Sequence, residues 1–346
     1  MTPDHISSIF DQDKASLLKS LQEMAQPSFR LNQIWSGIYQ KFWNTPGQFT
    51  NLPNSFRDEL FGRYSFLSLE PVQELISADK QTQKLLFKLH DGNFIETVLM
   101  RYEKRQALCI STQVGCPVGC VFCATGQMGF KRNLSSGEII EQVLFFARLL
   151  QKEGLVVTNI VVMGMGEPFL NYDACLTAIT RINDATGMAV GARRFTISTV
   201  GIIPQIERFT SEKNQINLAI SLHAIDDQLR SELIPLNQKY PLNMLLPACW
   251  RYVDKTHRRI SFEWALIQGV NDSLEQAKAL ASALKGRLCH VNLIQLNPTK
   301  SYAGSPSPAK VTQNFKQVLT NSGIPCSIRL RRGIEIQAGC GQLAST

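Results

Sequence analysis

The chain contains 346 residues, of which 44% are hydrophobic and 18% are charged. This balance excludes the disordered and fibrous classes and predicts one large globular domain with a smaller attachment. The formal net charge of +8 favours an anionic partner such as nucleic acid, although many basic proteins bind no such polymer.

The N-terminus carries no export or membrane signal. Residues 1–16 lack a positively charged segment followed by an apolar core, and no stretch of the chain approaches the roughly 18 uninterrupted apolar residues of a membrane helix. We therefore expect a cytoplasmic protein with no membrane partner. Nine cysteines in such a protein indicate metal, redox or catalytic use rather than a disulfide framework.

The first predicted elements are helices. Apolar residues recur at helical spacing between Arg30 and Phe42, which predicts an amphipathic helix, and Pro53 followed by Asn54 is a start signal for another. We assign residues 1–80 to a small helical accessory domain. Its helices either present a basic face to RNA or only pack against the rest of the protein.

A predicted β-hairpin follows, and after it the pattern of hydrophobic residues changes. KLLFKLHDG and FIETVLMRY are typical of two strands around the turn signal Asp91-Gly92, so residues 81–105 are assigned to a hairpin linker. Beyond it, short β-branched segments alternate with helical patterns, which predicts parallel βαβ units and the α/β class. The predicted strands are QALCIST, TNIVVMGM, RRFTIST, INLAISLH, RRISFEWALI and CHVNLIQL.

These six strands fit a partial (β/α)6 barrel of the TIM type over residues 106–300, with a C-terminal segment at 301–346. A doubly wound open sheet is the alternative. The barrel is favoured because unusual polar and glycine residues fall just past successive strands, where a barrel gathers its active site. These residues are Gly164, Gly166, Glu167, Ser198, Ser221, His223 and Asn297.

Three cysteines form the strongest single motif. Cys116, Cys120 and Cys123 lie on one loop with three and then two residues between them. A structural zinc site normally takes four ligands, usually from two separated pairs, and no second pair is present. Three cysteines can instead hold a [4Fe–4S] cluster that keeps one iron open for a small molecule. The alternative is an inert group of cysteines.

The spacing resembles the radical S-adenosylmethionine superfamily. The resemblance rests on CxxxCxxC, on Phe122 beside the last cysteine and on the segment Met163-Gly164-Met165-Gly166-Glu167-Pro168 after a strand. That segment lacks the third glycine of a dinucleotide-binding fingerprint. The resemblance implies two cofactors, a [4Fe–4S] cluster and S-adenosylmethionine, which the reduced cluster splits to a radical.

Within the superfamily, the chain resembles the dual-specificity adenine-C2 methyltransferases over nearly its whole length. The motifs are LCISTQVGCPVGCVFCATGQMGFKRNL, MGMGEPFLNYD, STVGIIP, LAISLHA, GVNDS, HVNLIQLNP and CGQL. The resemblance implies methylation of an adenosine in the peptidyl-transferase centre of 23S ribosomal RNA and of the adenosine 3′ of the anticodon in some transfer RNAs. It also implies two S-adenosylmethionine molecules per turnover and a methyl-cysteine intermediate.

The same resemblance implies a role for individual residues. Cys340 carries the methyl group, Cys109 forms a transient disulfide with Cys340, and Glu96 accepts the C2 proton. Without the family, Cys109 is a core cysteine and Glu96 a solvated charge. The residues implied to contact S-adenosylmethionine are Gly166, Glu167, Ser198, Ser221, Leu222, His223 and Asn297. Those interpreted as core cysteines are Cys175, Cys249, Cys289 and Cys326.

The implied partners are 23S ribosomal RNA, transfer RNA and an external electron donor of the flavodoxin or ferredoxin kind, and we expect a monomer. Basic residues interpreted as phosphate contacts, or else as ordinary surface, are Lys104, Arg105, Lys131, Arg132, Arg193, Arg194, Arg258, Arg259, Arg329, Arg331 and Arg332. The tail departs mildly from the family, which usually has Asp in place of Glu335 and Ala in place of Gly339.

Two other functions are weighed against this one. The C8-adenine methyltransferases, which confer antibiotic resistance, share the cluster motif and the cysteine pair, but Pro168 and Ala224 are typical of the C2 enzymes. A non-catalytic RNA-binding protein with a bound metal would explain the charge and the three cysteines. It would not explain GMGEP, Cys109 or CGQL.

Overall fold

The computed structural model describes residues 7–344 of the chain. Over this range it contains eleven α-helices and fourteen strands. The helices are α1 (Lys14–Glu23), α2 (Arg30–Tyr39), α3 (Asn54–Arg63), α4 (Ala124–Gln127), α5 (Ser136–Lys152), α6 (Tyr172–Asn183), α7 (Ile203–Ser211), α8 (Asp227–Leu233), α9 (Leu242–Thr256), α10 (Leu274–Leu284) and α11 (Ala309–Asn321). The strands are β1 (Ser7–Ser8), β2 (Tyr64–Ser65), β3 (Leu69–Ile76), β4 (Thr82–Leu89), β5 (Phe94–Tyr102), β6 (Arg105–Cys109), β7 (Gln113–Gly115), β8 (Phe130–Asn133), β9 (Asn159–Val162), β10 (Phe195–Thr199), β11 (Asn217–Ser221), β12 (Ile260–Leu266), β13 (Cys289–Gln295) and β14 (Cys326–Ile328).

The N-terminal helices form as the spacing predicts. Helix α2 buries Ile34, Trp35 and Ile38 on one face, and α3 begins directly after Pro53. The predicted helical character of residues 1–80 is wrong for Leu69–Ile76, which is strand β3. The side chains of this strand are mostly exposed, and a bulge lies between Pro71 and Gln73. Its sequence therefore lacks the alternation of apolar and polar residues by which a strand is predicted.

The predicted hairpin is confirmed and is part of a larger antiparallel unit. Strands β4 and β5 pair antiparallel around a turn in which Gly92 has φ +78°, a conformation that favours glycine. Strand β3 pairs with β4 and β6 pairs with β5, both antiparallel. Because β6 also pairs parallel to β9, the hairpin continues directly into the main sheet.

The main sheet of the described chain has ten strands in the order β14-β13-β12-β11-β10-β9-β6-β5-β4-β3. All six predicted strands are present and run parallel from β6 to β13. The short strand β14 adds a seventh parallel strand that the sequence did not predict. The sheet keeps two edges, at β3 and β14, as a partial barrel does, and its parallel order sets the C-terminal strand ends along one rim.

The helical segment is attached to the barrel at the start of α5. Ser135 and Glu138 form a capping box there, and the Asp11 carboxylate accepts a hydrogen bond from Gly137 N at 2.7 Å. The Arg181 guanidinium donates to the Asp11 carbonyl. These contacts hold residues 9–11 against the barrel. No helix within residues 7–344 combines the length and the apolar character that crossing a membrane requires.

Candidate active site

A cavity of about 1240 Å³, open to solvent, lies at the C-terminal ends of the parallel strands. Its wall includes every predicted site residue except Glu96 and Leu222. These residues are Cys109, Cys116, Cys120, Cys123, Gly166, Glu167, Ser198, Ser221, His223, Asn297 and Cys340.

The three-cysteine loop forms one side of the cavity. Its backbone is held at both ends, because Cys116 N donates to the Gly129 carbonyl at 2.8 Å and Val121 N donates to the Leu233 carbonyl at 3.1 Å. Burial, with Glu167 and Cys123 nearby, raises the pKa of the Cys116 thiol to about 12, and burial together with the two neighbouring cysteines raises that of Cys120 well above its usual value. The thiolates therefore need a cationic centre between them.

This donor set fits an iron–sulfur cluster. Among the described residues, no three His, Cys, Asp or Glu side chains gather closely enough to hold a single metal ion. The three thiols do face one cavity. A multi-iron cluster takes one thiolate per iron, so its cysteine ligands lie further apart than the ligands of a single metal ion. With three thiolates, one iron keeps a position for a small molecule.

The glycine–glutamate segment ties two strand ends together. Glu167 Oε1 accepts from Phe169 N and Oε2 accepts from Val200 N, both at 2.9 Å. Burial raises the pKa of Glu167 to about 7. The Thr199 side chain also bonds to this carboxylate, which has about four acceptor positions and so retains one for a ligand ammonium. Gly166 has φ +103°, and a Cβ there would lie 2.6 Å from Cβ of Gln113, so glycine permits this close approach.

Polar groups from β10 and β11 complete the opposite wall. The hydroxyls of Ser198 and Ser221 lie 3.3 Å apart. His223 Nδ1 accepts from Ala265 N at 2.9 Å, and burial lowers the His223 pKa to about 3. The imidazole is therefore neutral at physiological pH with its proton on Nε2. Its ring lies edge-to-face against Phe122, with ring centroids 4.9 Å apart.

Leu222 is the predicted contact that the structure places outside the cavity wall. Its side chain is fully buried in the main core. Its backbone N–H donates to the Glu263 carbonyl at 3.0 Å, and its carbonyl accepts from Arg230 Nε at 3.0 Å. The buried Arg230 guanidinium also donates to the Val200 carbonyl. Leu222 thus contributes to the support behind the strand ends.

The tail brings Cys340 to the cavity, where it is exposed. Asn297 Nδ2 donates to the Cys340 carbonyl at 3.0 Å, so Asn297 holds the tail as well as lining the cavity. A Cβ on Gly339 would lie 2.6 Å from Asn297 Nδ2 and from Gln342 Oε1. The glycine at this position thus allows these amides to approach the tail backbone.

Cys109 and Cys340 line the same cavity, although they are not bonded. All nine cysteines are free, so the structure contains no disulfide in residues 7–344. Burial raises the pKa of Cys109 to about 12. Of the four predicted core cysteines, Cys175, Cys249 and Cys289 are buried, and Cys326 is half-buried against the core.

Glu96 lies behind the cavity wall on β5, two residues from the cavity-lining Val98. It is only 3% exposed, so it is not the solvated charge that a hairpin position suggests. Lys84 Nζ lies 2.8 Å from Oε1, and Ala344 N donates to Oε2 at 2.9 Å. Each of the two carboxylate oxygens therefore has a partner within the protein.

Two charged residues of the cavity were not assigned to it by sequence. Glu263 lines the wall from β12 and accepts from Asn292 Nδ2 at 2.8 Å. Arg329, interpreted as a phosphate contact, is instead a cavity residue whose guanidinium lies 3.9 Å from the Met163 sulfur and 4.0 Å from the Met100 sulfur. Although burial opposes its charge, the nearby Cys340, Glu263 and Cys109 raise the pKa of Arg329.

Comparison with known proteins identifies the family. Residues 110–281 match the radical SAM superfamily. A probable dual-specificity RNA methyltransferase RlmN from Chloroflexus aurantiacus is 46% identical over 97% of this chain and 92% of its own length. The ribosomal RNA large subunit methyltransferase N of Nitrosopumilus maritimus is 43% identical over 94% of this chain and 95% of its own length.

A solved structure extends the likeness to the whole fold. The crystal structure of a radical SAM methyltransferase from Sphaerobacter thermophilus is 45% identical and superposes with a TM-score of 0.96, covering 98% of this chain and all of that one. Proteins of this group use a [4Fe–4S] cluster and S-adenosylmethionine. The chain belongs to the RlmN family of dual-specificity RNA methyltransferases within the radical SAM superfamily.

Proposed function

We propose that this protein methylates C2 of an adenosine in the peptidyl-transferase centre of 23S ribosomal RNA and C2 of the adenosine 3′ of the anticodon in some transfer RNAs. The observation that carries this proposal is one cavity that receives the three-cysteine loop together with Cys109 and Cys340. The relatives' names supply the substrate class, since they specify RNA and, in one case, large-subunit ribosomal RNA.

C2 of adenine is neither nucleophilic nor acidic enough for ordinary methyl transfer, so radical chemistry is needed. Cys116, Cys120 and Cys123 hold the cluster, which when bound supplies the electron that splits S-adenosylmethionine. The protein's part is to place the reacting groups and to exclude water. Gly166, Glu167, Ser198, Ser221, His223 and Asn297 provide hydrogen-bonding groups around the bound S-adenosylmethionine.

Cys340 acts as the methyl carrier. Its sulfur bonds to the methyl group of one S-adenosylmethionine as the methyl–sulfonium bond breaks, a displacement that needs the thiolate. Although Cys340 is exposed to the open cavity, the protein around its sulfur limits hydration of the thiolate and so raises the pKa of the thiol, and the Arg329 guanidinium lowers it. Arg329 thus favours the reactive form of Cys340 inside a site that otherwise disfavours it.

Glu96 and Cys109 complete the reaction on RNA. After the methylene carbon on Cys340 has bonded to the base, the adduct gives up its unpaired electron, which the cluster could take back when bound, and Glu96 accepts the C2 proton. The Cys109 thiolate then attacks the Cys340 sulfur, so that a disulfide forms as the bond between that sulfur and the RNA-borne carbon breaks, and that carbon takes up a proton to become the methyl group. The target adenosine is unstacked to reach the cavity, as enzymes that act on bases require.

The remaining assignments complete the proposal. Residues 1–80 act as an accessory region that contributes to RNA binding, residues 81–105 carry the base Glu96, residues 106–300 form the radical SAM core and residues 301–346 carry the methyl-cysteine. The protein works in the cytoplasm as a monomer and takes its electrons from an external flavodoxin-like or ferredoxin-like donor. Clusters of this type are reduced one electron at a time.

The test uses anaerobically reconstituted protein, dithionite, S-adenosylmethionine and protein-free 23S ribosomal RNA, with product nucleosides identified by mass spectrometry. Wild type is compared with Cys340→Ala and with Cys326→Ala, a cysteine on β14 that does not line the cavity. We expect 2-methyladenosine from wild type and Cys326→Ala and none from Cys340→Ala. Production of 8-methyladenosine, or no methylated adenosine from wild type with an intact cluster, contradicts the proposal.

A further inference from the structure

A buried ion pair holds both ends of the segment that carries Cys340. We call residues 337–344 the tail loop. Lys84 Nζ donates to the Gln337 carbonyl at 3.2 Å, and Glu96 Oε2 accepts from Ala344 N at 2.9 Å. Gln337 and Ala344 are the first and last residues of the tail loop and lie on either side of Cys340 in the sequence. The ion pair therefore contacts both ends of the tail loop.

The pair itself is formed within the hairpin. Lys84 on β4 is opposite Val98, and Glu96 on β5 is opposite Leu86, so the two side chains are diagonal neighbours on one face of the sheet. Nζ and Oε1 lie 2.8 Å apart, and the two side chains are 8% and 5% exposed. Charges this deeply buried persist only where partners satisfy them, because removing water from each is costly.

Core packing does not account for this pair. A hydrophobic pair of similar size at two hairpin positions is often at least as stabilising as a buried ion pair. The remaining hydrogen-bonding capacity of Lys84 and Glu96 is directed at backbone groups of the tail loop. Gln337 also has φ +53°, a left-handed conformation that a non-glycine residue adopts only when its surroundings impose it.

Other contacts to the tail loop come from the catalytic side. Thr125 Oγ1 donates to the Leu343 carbonyl at 2.6 Å, Ala124 N donates to the Gly341 carbonyl at 2.8 Å, and Gln342 Nε2 donates to the Pro298 carbonyl at 3.1 Å. These groups adjoin the cluster loop and the end of β13. The ion pair therefore links the tail loop itself to the hairpin, while Arg332, which donates to the Arg101 carbonyl, and Glu335, which accepts from Ala78 N, hold the residues just before the tail loop.

We propose that Lys84 is a positioning residue that, through its ion pair with Glu96, holds the tail loop so that Cys340 stays in the cavity. The arrangement also couples two groups of the reaction. While Ala344 N occupies Oε2 and Lys84 faces Oε1, the Glu96 carboxylate is directed at the protein's own tail, and Oε2 becomes available to the RNA base when Ala344 N leaves it while Cys340 remains in the cavity. This second point rests on the function proposed above for Glu96.

The test measures tail-loop mobility by hydrogen–deuterium exchange on the anaerobic holoenzyme without RNA. The variants are Lys84→Met and, because a lone buried carboxylate can impair folding, the uncharged double variant Lys84→Met/Glu96→Gln. The matched control is Lys88→Met, which removes an exposed lysine four residues further along β4. We expect exchange in peptides covering 337–344 to rise at least about tenfold in both Lys84 variants and to stay unchanged in Lys88→Met.

A second readout separates positioning from a general loss of structure. In Lys84→Met, single-turnover methylation of Cys340 should slow several-fold while the affinity for S-adenosylmethionine stays at the wild-type value. Unchanged exchange in the tail loop, or exchange that rises equally across β9–β13, overturns the proposal. Wild type that fails to make 2-methyladenosine contradicts the proposed function alone, because the exchange result does not depend on RNA.

Discussion

At residue 329 the burial pattern is the reverse of what hydropathy predicts. Arg329 is half-buried and lines the cavity, whereas the adjacent Leu330 is 73% exposed. Among residues 7–344, the guanidinium has hydrogen-bonding partners only in the Met163 and Met100 sulfurs, and thioethers are weak acceptors. Because these partners are weak, the favourable electrostatic interactions of the Arg329 charge are with Cys340, Glu263 and Cys109, which line the same cavity.

The first prediction concerns this charge. Arg329→Met should raise the pKa of the Cys340 thiol, because burial already raises it and the guanidinium is the group that lowers it. Each unit of increase lowers the thiolate fraction about tenfold at a pH below the pKa. The measurement is the rate of Cys340 alkylation against pH on anaerobic protein, followed by peptide mass spectrometry. Arg194→Met is the control, and equal alkylation profiles for wild type and Arg329→Met would refute the prediction.

At the scale of elements, α5 anchors the start of β3. Glu141 of α5 is 1% exposed, and its carboxylate accepts from Ser68 N, with Oε2 at 2.9 Å. Burial raises the pKa of Glu141 to about 7 from its ordinary value of 4.5. This one side chain joins a barrel helix to the edge of the antiparallel strands.

The second prediction follows from that raised pKa. The folded protein binds the Glu141 proton more tightly than the unfolded chain does, so this group lowers stability as pH rises from about 4.5 to about 7. Glu141→Gln does not titrate. Its free energy of unfolding relative to wild type should therefore increase over this window, by at most about 3 kcal/mol.

Urea unfolding of wild type and variant between pH 5 and pH 8 measures this difference. The exposed glutamate Glu59 on α3 offers the matched control, and Glu59→Gln should leave the pH dependence unchanged. A difference between Glu141→Gln and wild type that is constant with pH would show that Glu141 does not carry the linkage.

At the scale of the whole molecule, strand direction divides the basic residues between two faces. Arg194 precedes β10 and Arg259 precedes β12, so both lie at the N-terminal ends of strands, opposite the cavity. Lys131 lies on β8 beside the cluster loop, and Lys300 follows β13 and lines a groove with Gln342 of the tail loop. Only residues of the second group are placed to contact phosphates near a bound target base.

The third prediction compares these two groups with equal charge changes. Lys131→Glu and Lys300→Glu should each raise the KM for RNA several-fold and reduce the salt dependence of RNA binding by about one phosphate contact. Arg194→Glu and Arg259→Glu should behave as wild type. The measurements are methylation kinetics and RNA affinity between about 50 and 200 mM salt. Equal losses in all four variants would indicate a response to net charge alone.

The sequence predicted the elements whose pattern is local. The six barrel strands, the hairpin around Gly92 and helix α2 are all present, because alternation, helical spacing and turn residues act over a few positions. Strand β3 was missed since an exposed edge strand has little alternation, and β14 was missed because three half-buried residues form too short a signal.

The sequence by itself identified the family and led us to predict the cluster cysteines and Cys340, because the spacing of reactive side chains along the chain is a local property that the chemistry requires. Only the tertiary structure decided that Arg329 and Glu263 line the cavity and that Leu222 does not. It alone revealed Lys84 and Glu96 joined to the tail loop. Contacts between residues some 250 positions apart depend on how the sheet brings its strand ends together, and no short pattern encodes them.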